Sequence, residues 1–119
     1  MESYERTLCR LAIGDEAYAD SVLACDAANR AESGLDLKTH AFVRLAGLIA
    51  SDAAAPSYLG AIESARAGGA SDEEIVGCLV AVMPALGAAR VVSAAPKLGI
   101  ALGYDVTAAL EEAGVPPPA

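Results

Sequence analysis

A chain of 119 residues with 55% hydrophobic residues, one Phe and no Trp carries a formal net charge of −8. That length is enough for a single domain spanning residues 1–119 around one core, and with so few aromatics the core falls to Ala, Leu, Val and Ile, so subunit contacts are expected to supply part of the burial. The acidic balance repels phosphate backbones and anionic membrane surfaces, so neither nucleic acid nor membrane is an expected partner.

Apolar residues recur at helical spacing and no run alternates with period two, so the chain is expected to be all-α, with no internal repeat. The first helix is predicted over residues 4–13, with Leu8 and Leu11 on one face and Gly14 breaking it. This segment begins with acidic residues and lacks a long apolar run, and no later stretch reaches the roughly 18 continuous apolar residues of a membrane span. A cytoplasmic location is the expectation. Asp15 caps a second helix that runs to about Arg30, and Ser33-Gly34 is a linker. Asp36 starts a third helix reaching about Ala50, whose inner arc holds Leu37, Phe42, Leu45, Leu48 and Ile49, with His40, Arg44 and Gly47 on the far side.

Pro56 suits the first turn of a fourth helix, where its missing N–H would be unpaired anyway, and Gly68-Gly69 ends that helix. Ser71 and Glu74 form a capping box for a fifth helix over residues 72–87. Nothing after Glu74 in this helix favours water, which predicts the central, most enclosed helix of the fold. Pro84 in the fifth helix and Pro96 in the sixth each remove a backbone donor, so both helices are expected to bend or locally unwind. Asp105 caps a last short helix over 106–113, and a frayed, Pro-rich tail occupies 115–119.

Residues 35–105 read LDLKTHAFVRLAGLIASDAAAPSYLGAIESARAGGASDEEIVGCLVAVMPALGAARVVSAAPKLGIALGYD. This stretch resembles the carboxymuconolactone decarboxylase and alkylhydroperoxidase D family. The resemblance implies an alkylhydroperoxidase D-like bundle of about six to seven helices and a homo-oligomer. Family members with peroxidase-linked chemistry carry a CxxC followed by a His at the start of the fourth helix, and the matching positions here are Ala54, Ser57 and Ala61. Disulfide exchange needs two neighbouring thiols and a base that lowers a thiol pKa, so the chain resembles a divergent member of that family without the redox motif. Cys9, Cys25 and Cys78 contain no CxxC pair and are odd in number, which fits neither a disulfide framework nor a zinc site; free, mostly buried thiols are expected, with no metal and no cofactor.

The vacated site directs attention to a candidate ligand pocket formed by Phe42, Ser57, Tyr58, Ala61, Met83 and Arg90. Ser57 can cap its helix or hold a ligand, and Tyr58 shares a face with Ile62 and Ala65, so it points inward with a phenol that needs a partner. Arg90 and Lys97 share a stripe with Ala94 and Ala101; two cations on one face can grip a carboxylate or pair with acidic neighbours. Glu63 and Arg66 read as a solvated ion pair, and His40 as a surface or interface residue. Two functions follow. One is a cofactor-free, lyase- or decarboxylase-like enzyme acting on a small organic acid or ketone between the third, fourth and fifth helices. The other is a non-catalytic module that binds a small molecule or a protein, having kept the fold without the redox motif.

Overall fold

In the computed structural model, residues 2–116 are described and every regular element among them is helical. The chain divides into two compact units, Met1–Leu35 and Asp36–Ala119. There are eight α-helices among the described residues, where six to seven were expected. Of the predicted frayed tail, residues 117–119 lie outside the described residues.

The first unit contains α1 (Ser3–Ala12), α2 (Glu16–Leu23) and α3 (Asp26–Ser33). None of these helices has a fully buried residue. The additional helix comes from a break in the predicted second one. Cys25 is extended at φ −165° and ψ 166°, and its sulfur accepts from the Ala28 N–H at 3.4 Å, so it caps α3. The Asn29 amide donates to the Val22 carbonyl at 3.1 Å, satisfying an acceptor that the end of α2 leaves open. No Gly or Pro marks this break, and a thiol is a weak capping group, so the sequence pattern ran through it. Asp15 caps α2 as expected, accepting from the Tyr18 N–H at 3.1 Å.

The second unit contains α4 (Leu37–Ala50), a 3-10 turn over Ala55–Ser57, α5 (Tyr58–Ala67), α6 (Asp72–Leu86), α7 (Ala88–Leu102) and α8 (Val106–Glu112). Asp36, Ser71 and Asp105 cap α4, α6 and α8, and the Ser71–Glu74 capping box is complete in both directions. The core of this unit gathers Ala41, Leu45 and Ile49 of α4 with Tyr58, Ala61, Ile62 and Ala65 of α5. Ala70 between α5 and α6, Ile75, Cys78 and Leu79 of α6, and Val91, Ala94 and Leu98 of α7 complete it. Small residues let the backbones approach: a Cβ on Gly68 would lie 2.7 Å from the Lys38 backbone nitrogen, and one on Gly99 would lie 2.9 Å from the Tyr104 carbonyl oxygen.

The expectation for the fifth helix needs correcting. The helix that touches α4, α5, α6 and α8 is α7, whereas α6 buries only Ile75, Cys78 and Leu79 and leaves Val76, Val80 and Met83 exposed. Hydrophobicity around the whole circumference therefore does not make α6 central within the chain. Pro84 and Pro96 are accommodated inside α6 and α7, both of which continue as α-helix beyond their prolines to Leu86 and Leu102.

Candidate functional site

Among the described residues, every Schellman closure but one is built on glycine. At the ends of α1, α5, α7 and α8 the left-handed position is taken by Gly14, Gly69, Gly103 and Gly114, as the physics of a missing Cβ favours. The end of α4 makes the same pair of bonds, from the Asp52 N–H to the Ile49 carbonyl at 3.2 Å and from the Ala53 N–H to the Leu48 carbonyl at 3.0 Å. Its left-handed residue is Asp52, at φ 54°, the one non-glycine with positive φ among the described residues. A side chain at such a position is tolerated for Asp more readily than for most residues, and strain of this kind points to a use for the side chain.

That use is visible in its partners. The Lys97 ammonium donates to Asp52 Oδ1 at 2.8 Å and the Ser93 hydroxyl donates to the same oxygen at 2.7 Å. Lys97 Nζ also lies 3.4 Å from Ser93 Oγ. Arg90 approaches Asp52 Oδ2 at 3.8 Å, close enough to feel its charge and too far for a hydrogen bond. Arg90, Ser93 and Lys97 sit at helical spacing along α7, so one stripe of that helix presents two cations and a hydroxyl to a single carboxylate. Hydrogen bonds from Lys97 and then Ser93 hold the Asp52 carboxyl below the usual carboxylate range, with the charges of Lys97 and Arg90 adding to the effect.

Tyr58, the first residue of α5, lies beside this cluster. Its side chain has 0% exposure, and its hydroxyl is the one buried side-chain nitrogen or oxygen without a hydrogen-bond partner among the described residues. Burial, and next the Asp52 charge, push its phenol pKa upward, so the group stays neutral and keeps a proton to donate. A buried hydroxyl in this state carries a desolvation cost that a ligand or water oxygen can offset.

The six residues of the expected pocket have separate fates. Tyr58 and Ala61 are fully buried in the core of the unit, and Phe42 packs against that core while the Lys38 ammonium stands 5.9 Å from its ring centre. Ser57, Met83 and Arg90 are exposed, and the Ser57 side chain makes no capping bond to α5. Arg66 pairs with Asp72 rather than Glu63, through Nε at 3.1 Å and Nη2 at 3.0 Å. The inward direction of Tyr58 and the shared stripe of Arg90 and Lys97 were legible from spacing. Asp52 and Ser93 were missed. The available signal was an Asp standing where a helix end usually takes Gly, and a Ser inside the basic stripe.

Of the three cysteines, Cys78 is buried and Cys9 and Cys25 are exposed, which corrects the expectation that most would be enclosed. Cys9 lies on α1, which buries nothing completely, and the Cys25 sulfur is spent at a helix cap. Burial and the nearby Glu74 charge push the Cys78 thiol pKa upward. Among the described residues no three His, Cys, Asp or Glu side chains form a group that could hold a metal ion, and no helix is long and apolar enough to cross a membrane. Comparison with family models, curated proteins and solved structures finds no match to this chain.

Proposed function

We propose that this chain is a non-catalytic binding module, resembling the carboxymuconolactone decarboxylase scaffold without its redox motif, that holds the carboxylate of a small organic acid beside Asp52. The observation that carries the reading is the unpartnered, fully buried Tyr58 hydroxyl next to a cluster with two cations and one anion. Arg90 is half-exposed and not hydrogen-bonded to Asp52, so its fork of N–H donors remains suited to an incoming carboxylate. Lys97 keeps N–H donors beyond the one given to Asp52, and the ligand's second oxygen would accept from Tyr58.

The test is titration of the full chain with succinate and levulinate, followed by calorimetry and by backbone NMR shifts at Asp52, Arg90 and Lys97. Saturable binding that Arg90→Ala weakens about tenfold, the usual worth of a charge-assisted hydrogen bond, supports the reading. Shifts scattered over the surface without saturation would sink it. Mass spectrometry of natively purified protein would identify the acid itself.

A second reading keeps the scaffold catalytic, as a cofactor-free lyase acting on the same acids or on a ketone. Tyr58 favours it, as a neutral proton donor in a dry environment. The binding reading is preferred because the space between α4, α5 and α6 is occupied by Leu45, Ile49, Ala61, Ile62 and Ile75, which are fully or almost fully buried apolar side chains. Turnover of a bound acid, abolished by Tyr58→Phe, would reverse that preference.

Self-association belongs to the same proposal. Val76, Val80 and Met83 of α6 and Val92 and Ile100 of α7 are all exposed, and a second copy of the chain would cover such residues.

A further inference from the structure

Within the Met1–Leu35 unit, a cleft of about 800 Å³ opens between α1, α2 and α3. Its volume falls in the range of small-molecule sites. Tyr4, Leu8, Leu11 and Val22 supply apolar wall, and Tyr4, Leu8 and Leu11 remain 65%, 59% and 60% exposed. The polar lining is acidic: Glu2 and Glu32 contribute carboxylates, and no Lys, Arg or His lines the cleft among the described residues.

The Tyr18 phenol, also in the lining, stands beside the Glu32 carboxylate; burial and next that carboxylate push its pKa upward, so the hydroxyl keeps a proton to share with Glu32. This holds Glu32 and the Tyr18 ring together as one polar edge. The ring already attracts a cation, since the Arg10 guanidinium carbon stands 5.3 Å from its centre. Tyr4 offers a second aromatic face in the same cleft. The net charge of −8 adds a long-range attraction for positive ligands.

We propose that this cleft binds a small organic cation, an alkyl- or arylammonium, with its hydrocarbon body against Leu8, Leu11 and Val22 and its ammonium group at Glu32 and the two tyrosine rings. The proposal stands independently of the acid site described above, because every residue lining the cleft belongs to the Met1–Leu35 unit. An ammonium is selected over an anion by the two carboxylates. It is selected over a neutral molecule of the same shape by the charge-assisted bond to Glu32 and by the aromatic faces.

The experiment titrates the full chain with phenylbutylammonium, phenylbutanol and phenylbutyrate, which share a body and differ in the head group, and follows methyl NMR signals. The ammonium is expected to give saturable shifts at Leu8, Leu11 and Val22, with the alcohol and the carboxylate at least about tenfold weaker. Glu32→Gln keeps an oxygen acceptor for the Tyr18 hydroxyl and lies on an exposed helix position, so it preserves the fold while removing the charge. It should weaken ammonium binding about tenfold. Equal binding of the ammonium and the alcohol, unchanged affinity in Glu32→Gln, or an absence of saturable shifts at those methyl groups would overturn the proposal.

Discussion

Tyr58 contributes bulk and costs polarity. Its ring is one of the largest fully buried side chains in the chain, whereas its hydroxyl is buried without a partner. Leaving such a group unpaired costs about 1–3 kcal/mol, so Tyr58→Phe is expected to stabilise the ligand-free protein by about 1 kcal/mol in urea unfolding. The same variant should weaken binding of the organic acid by about 1–2 kcal/mol. Loss of stability in Tyr58→Phe would mean that the hydroxyl is already satisfied in solution and is not waiting for a ligand. Asp52 and Glu74 make a second residue-scale prediction. Lys97 and Ser93 lower the Asp52 pKa, and Lys38 and the Ser71 backbone lower that of Glu74. A carboxyl whose folded pKa is depressed contributes stability that is fully present above its unfolded value, about 4, and is lost as pH falls through the folded value. Unfolding midpoints should therefore be flat near neutrality and decline below about pH 4, and Asp52→Asn with Glu74→Gln should make that acid limb shallower. An unchanged limb in the double variant would show that neither pair is formed in solution.

At the scale of elements, the end of α5 and the start of α4 are held by close backbone approach. Gly68 follows α5, and a Cβ there would meet the Lys38 nitrogen at 2.7 Å and its Cα at 2.9 Å. Those atoms belong to the backbone of α4 and cannot rotate away, so Gly68→Ala is expected to cost about 1–3 kcal/mol by overpacking. Gly47 and Gly77, which have nothing within 4 Å of such a Cβ, should accept Ala without that penalty. Chemical denaturation of the three variants checks the contrast. The requirement at Gly68 could not be read from the sequence, where Gly68-Gly69 looked only like a helix stop. Gly69, at φ 92°, performs the stop, and Gly68 performs the approach.

At the scale of the whole molecule, the proposed self-association would use the charge-poor later turns of α6 and α7. Val80 is 67% exposed, so Val80→Lys removes little intramolecular packing and should leave the thermal midpoint of the isolated chain within about 2 °C, since surface changes usually fall within about 0.5 kcal/mol. If α6 forms the contact between copies, that variant should shift a dimer or larger assembly to monomer in sedimentation at micromolar concentration. A parent chain that already sediments as a monomer of 11.9 kDa would rule out the assembly.

Helical period, the caps at Asp15, Asp36, Ser71 and Asp105 and the inward face of Tyr58 were determined by the sequence itself, because each depends on spacing or on chemistry within one turn of helix. The break at Cys25 was not, since a sulfur cap and the Asn29–Val22 bond replace the usual Gly or Pro signal. The tertiary structure alone decided that Asp52 meets Ser93 and Lys97 across 41 and 45 residues of chain, and that α7 takes the central place expected of α6. Composition states how much apolar surface a helix offers; which face is covered depends on the neighbours that the turns bring to it.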